Sequence, residues 1–127
     1  RWVITAKAGH PCEPVWLSAG FDMAINASAR EGMGTSVALA ARLALEAECK
    51  ALLIALADMP LVPVAHFQAL ARRADEIGER AIIVSQIGEA RTPPAVFGRA
   101  HFSALTDLGG DTGARRILQK GEVVRMA

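Results

Sequence analysis

Aromatic residues make up only 5% of the 127 positions, cysteine occurs twice, neither sign of charge dominates, and no apolar run is long. Each shortage removes a class of protein. Cys12 and Cys49 are too few for a disulfide scaffold and lack the close spacing of a metal-binding pair, which points to a reducing, cytoplasmic setting. Lys and Arg number 14 against 13 Asp and Glu, a net charge of +1. No broad field then attracts nucleic acid or an anionic membrane, so any anion site must be local. The longest apolar stretch, Ala51 to Ala57, is far shorter than the roughly 20 residues that span a bilayer, and the protein is expected to be soluble. What is present is Ala, Leu and Val, in a chain that is 52% hydrophobic. That composition suits helices packed on a buried, mostly parallel sheet within one domain, 1–127, whose folding buries about two-thirds of the extended-chain surface.

Short runs rich in β-branched residues alternate with longer segments of helical periodicity, the pattern of βαβ units. Strands are expected at Trp2 to Thr5, Phe21 to Ile25, Ala51 to Leu56, Ala81 to Ser85 and Val123 to Arg125. Helices fall between them. From Thr35 to Cys49, residues Val37, Leu39, Ala40, Leu43 and Leu45 form a stripe that would press on a sheet, with Thr35 as a lone cap. A second helix follows Pro63, turns Phe67, Leu70 and Ala74 inward, and stops at Gly78, leaving Arg72, Arg73, Asp75 and Glu76 as a solvated face. Residues 88–97 read as a Pro-containing loop with a short extended piece, in which one of the bonds at Pro93-Pro94 is a candidate cis bond. Ala100 to Leu108 is helical again, and Asp111 is placed to cap a last helix that runs to about Lys120.

Three segments can carry chemistry. Leu53-Ile54-Ala55-Leu56-Ala57-Asp58-Met59-Pro60 sets a carboxylate beyond an apolar strand, at the edge where open α/β sheets take their ligands. Asp58 there either binds Mg²⁺, which favours oxygen ligands shared with phosphates, or shapes the turn before Pro60. Glu31-Gly32-Met33-Gly34-Thr35-Ser36 leads into a long helix, so its amides and partial positive charge face a nucleotide or serve only as a turn and cap. It matches neither a dinucleotide fingerprint nor a P-loop. Gly109-Gly110-Asp111-Thr112-Gly113-Ala114-Arg115 joins mobile backbone, an acid and a guanidinium, from which Arg115 or Arg116 could clamp a phosphate; the alternative is a stop signal followed by a cap. His10 and Cys12 have no third zinc ligand nearby, His66 and His101 fall on helices, and no nucleophilic triad can be argued from spacing.

Taken in order, Asn26, Gly32-Met33-Gly34-Thr35-Ser36, Ala57-Asp58-Met59-Pro60, Pro93-Pro94-Ala95-Val96-Phe97 and Gly110-Asp111-Thr112-Gly113-Ala114-Arg115 resemble the MobA-like nucleotidyltransferases. The molybdenum cofactor cytidylyltransferases look like the nearest branch. The resemblance implies a three-layer αβα, Rossmann-like fold of the nucleotide-diphospho-sugar transferase type, acting on an NTP (CTP, or GTP) and Mg²⁺ with molybdopterin as acceptor and a molybdoenzyme as client. Carried over residue by residue, Asp58 is the metal ligand and catalytic residue, Asn26 lies near the nucleotide, Gly34, Thr35 and Ser36 line its pocket, and Asp111, Gly113 and Arg115 face the pterin phosphate. The family's N-terminal strand and its Gly-rich triphosphate loop have no counterpart here, and neither does a second metal ligand after the last strand. The chain is therefore read as a fragment of a longer enzyme, since a domain that starts on an interior strand exposes sheet edge and faces, with a shortened non-catalytic binding module as the alternative.

Overall fold

The computed structural model describes residues 1–126, with the side chains of 110–114 outside that description. Helices and strands alternate as far as β4, after which two strands and then two helices follow one another: β1 (Trp2–Thr5), α1 (Glu13–Ser18), β2 (Asp22–Ile25), α2 (Met33–Glu46), β3 (Ala51–Ile54), α3 (Val64–Ile77), β4 (Ile82–Ile87), β5 (Ala90–Gly98), α4 (Phe102–Thr106), α5 (Gly110–Gln119) and β6 (Glu122–Arg125). The fold is mixed α/β, with two sheets. β1 and β2 pair in parallel from Trp2↔Asp22 to Thr5↔Ile25. Parallel neighbours need a crossover, and α1 supplies it; the sequence reading gave this helix no bounds, and Pro14 in its first turn explains how a Pro-containing stretch begins one. The other sheet runs β3-β5-β4-β6, with β3, β4 and β6 pointing one way and β5 the other.

β5 corrects the reading of residues 88–97 as a Pro-containing loop with only a short extended piece. It is a nine-residue strand, paired on both sides. Prolines disqualify a segment from a sheet centre because they cannot donate to a ladder, but here a bulge removes the conflict. Val84 pairs with Ala95 and Ser85 with Thr92, so Pro93 and Pro94, joined by a cis bond, fall in the register shift and need no N–H partner. The far end of β5 requires glycine. A Cβ on Gly98 would collide with the Glu79 carbonyl, and this close approach lets the Gly98 amide reach the Ala81 carbonyl at 2.8 Å.

Side-chain alternation sends the sheet's two faces into different helices. Leu52, Val84, Ala95 and Phe97 pack with α2 and with Phe102 and Leu105 of α4, while Ile83 and Val96 meet Leu70 and Ala74 of α3. This is a three-layer arrangement. Fully burying side chains such as Phe102, Leu70, Ile83 and Leu105 contributes about 1.5–3 kcal/mol each. The buried face of α2 is Val37, Ala38, Ala40, Ala41 and Ala44, and the expected Leu39, Leu43 and Leu45 are only half-buried. Alanines win because α4 and α5 lie close against this helix, and a small side chain permits the approach. In α3 the stripe is His66, Leu70 and Ala74, spaced four apart, with Phe67 half-buried. On the solvated face Arg73 forks onto Glu122 of β6 at 2.6 and 3.2 Å and also meets Glu76 at 2.7 Å. Charge-assisted bonds to Glu122 and then Glu76 raise its pKa still further. Among the described residues no helix is long and apolar enough to cross a membrane.

Candidate active site

β3 ends at Ile54, two residues before the expected Leu56, and it lies at an edge of its sheet with Leu53 40% exposed, so it is less buried than the run of apolar residues suggests. Beyond it, residues 55–63 form a chain of turns, with the Met59 amide on the Leu56 carbonyl and the Val62 amide on the Met59 carbonyl, both at 3.4 Å. Asp58 sits on this loop, exposed to solvent and bound to no other described side chain. Its carboxylate is available to a ligand.

Asn26 follows β2 directly and is 6% exposed. Its amide nitrogen donates to the hydroxyls of Thr35 and Ser36, each at 2.9 Å, and its carbonyl oxygen accepts the Ser28 amide at 3.0 Å. The structure thus brings Asn26, Gly34, Thr35 and Ser36 together at the start of α2. Thr35 is not the cap that was expected. Gly32, at φ 119°, holds the cap position in a conformation that side chains rarely adopt, and the Thr35 hydroxyl points back to the Gly32 and Ser28 carbonyls at 2.7 and 3.1 Å. This corner opens on a polar depression of about 190 Å³ that Arg42 and Glu31 also line. Arg42 was missed, although Thr35, Ala38 and Arg42 stand at helical spacing on one face.

A second, largely apolar cavity of about 440 Å³ lies between α2, the sheet and α5, and Met33, Leu56, Phe97, Leu108 and Arg115 are among its walls. Leu56 is two residues ahead of Asp58 and Met33 is next to Gly34, so the Asp58 loop, the start of α2 and Arg115 share one hollow. The side chain of Asp111 lies outside the described residues, and Gly113 falls in the same stretch. The backbone of α5 nevertheless starts at Gly110 with Gly109 as its cap residue, so Asp111 lies within the first turn and not before it. Arg91, unforeseen because its partners are 27 to 30 residues away, turns from the cavity wall to the Leu118, Gln119 and Gly121 carbonyls at 3.2, 2.5 and 2.9 Å and thereby holds the end of α5. The His10 ring is already engaged, since its Nδ1 accepts the Cys12 amide at 3.0 Å and the ring stacks on Trp16 at 4.7 Å. No three His, Cys, Asp or Glu side chains converge on a metal position among the described residues.

Ligand contacts beyond strand ends, with phosphates met by a helix start, mark α/β domains that handle nucleotides. The chain belongs to one family of them: residues 1–125 match the MobA-like NTP transferase domain. Among curated proteins it is similar to the purine catabolism protein PucB of Bacillus subtilis (strain 168), 37% identical over 95 residues, which are 75% of this chain and 44% of that protein. The chain spans less than half the length of that relative. Family membership is shared with the resemblance read from the motifs, while the cytidylyltransferase branch is a finer matter.

Proposed function

We propose that this domain serves a nucleotidyltransferase that moves CMP, or another NMP such as GMP, from an NTP to the terminal phosphate of molybdopterin with release of pyrophosphate. The observation that carries this reading is the shared hollow, onto which the Asp58 loop, the beginning of α2 and Arg115 all converge. Asp58 fits a Mg²⁺ ligand in its chemistry, because an exposed carboxylate with no ion pair among the described residues can take a cation that fills its other positions with water and nucleotide phosphates. When bound there, Mg²⁺ would neutralise charge on the phosphates during transfer. Thr35 and Ser36 present hydroxyls beside the helix start and position the nucleotide. Arg115 meets the acceptor's phosphate, and the apolar walls below it accept a flat ring system. That pairing supports an acceptor with a planar group and an anionic tail over a sugar phosphate. A molybdoenzyme that takes up the product is the client this reading implies.

Asp58→Ala in the full-length protein should cut CTP- and molybdopterin-dependent pyrophosphate release by roughly 100-fold or more, with unchanged circular dichroism. Turnover equal to that of the unmutated protein would remove Asp58 from the metal site, and release with a sugar phosphate alone would overturn the acceptor.

A further inference from the structure

A buried hydrogen-bond chain on the α3 side of the sheet has no part in the reading above. The bulge that admits Pro93 and Pro94 takes the Pro94 carbonyl out of the β4–β5 ladder, and a buried carbonyl needs a donor. Ser85 supplies it, with Oγ donating to the Pro94 oxygen at 2.6 Å. A hydroxyl has one proton, so the 2.7 Å contact between Ser85 Oγ and His66 Nε2 must use a proton from the imidazole. His66 is therefore the tautomer that carries hydrogen on Nε2. Both residues are buried, at 7% and 0% exposure, and burial disfavours the imidazolium.

His66 lies in the first turn of α3, immediately after the loop that bears Asp58. The other end of that loop is Ile54, which pairs with Ala95. Both ends are thus tied to adjacent residues of β5, Ile54 directly to Ala95 and His66 through Ser85 to Pro94. From this geometry we infer that His66 is a positioning residue for the Asp58 loop, acting through the Ser85 hydroxyl and the Pro94 carbonyl. The inference builds on the proposed role of Asp58, but it concerns the loop's anchorage and can be measured without nucleotide.

The test compares His66→Leu, which removes the donor, His66→Gln, whose Nε2 can replace it, and Ser85→Ala in the intact chain. Imidazole ¹⁵N spectra of the unmutated protein near pH 7.5 should show hydrogen on Nε2. Amide exchange should accelerate roughly 5- to 10-fold within residues 55–63 in His66→Leu and Ser85→Ala, the scale of one lost hydrogen bond. His66→Gln should restore slow exchange, and Ile83 and Val96 should stay protected throughout. Hydrogen on Nδ1, unchanged loop exchange in both disrupting variants, or a Gln variant as fast as the Leu variant would each overturn the inference. If His66→Leu does not fold, Ser85→Ala against His66→Gln decides the question in the same way. Failure of the unmutated protein to bind Mg²⁺ would count against the reading of Asp58 alone, because the exchange results do not involve the metal.

Discussion

β1 and β2 hold no buried residue, whereas β4 and β5 together bury eight, Ile83, Val84 and Ser85 on one and Pro94 to Gly98 on the other. Ile4 is the residue of the first sheet that packs against the main core, and Ile25, at the end of β2, is 54% exposed. Stability is therefore concentrated in the four-stranded sheet and its helices, and the N-terminal pair leans on it through α2. The candidate site spans both regions. Asn26 takes its backbone anchor from Thr5 of β1, at 2.8 Å, while Asp58 sits on the loop that joins β3 to α3.

The sharpest way to break this contrast is a matched pair of truncations. Phe102→Ala, at a side chain with no exposure, should cost about 3–5 kcal/mol in urea unfolding. Ile4→Ala should cost about 1–2 kcal/mol, since only part of its surface leaves water on folding. Equal losses would mean that the two sheets form one core. A smaller effect distinguishes them by pH. His66 has a folded-state pKa lowered from 6.5 by burial, so the unfolded chain binds a proton that the folded chain refuses. This term leaves stability intact above pH 6.5 and erodes it as the pH falls below that value, until the folded form is protonated as well. Unfolding measured from pH 8 to 5 should show the loss, and His66→Gln should remove that component of it. Smallest of all is Arg73→Ala. Its partners Glu76 and Glu122 are solvent-exposed, and such pairs contribute little, so the thermal midpoint should barely move and should do so less at high salt.

Much of this architecture was legible because hydrophobic periodicity is local. The strands at Trp2, Ala51 and Ile82, the helix after Pro63 and its stop at Gly78 follow from patterns a few residues long. β5 was hidden by Pro93-Pro94, whose cost disappears only when a bulge in the β4–β5 pairing excludes them, and no local pattern announces a bulge. The alanine face of α2 was hidden because the leucines carry the stronger apolar signal, while close helix packing selects small side chains. At the site, Asp58 and the Asn26, Thr35 and Ser36 group were visible as motifs. Arg91, Arg42 and the His66 to Ser85 link were not, because their meaning depends on which segments the fold brings together.

Asn26 is committed within the protein itself. Both of its amide protons and its oxygen are engaged, by Thr35, Ser36 and the Ser28 amide, before any ligand arrives. The segment from Asn26 to Ser36 is therefore fastened in advance, and a ligand that settles against it need not order it. Immobilising even one rotamer-rich side chain costs about 0.5–1.5 kcal/mol on association. Much of that entropy has already been surrendered during folding, so at this corner affinity should depend on the match between ligand and surface, with little conformational penalty left to overcome.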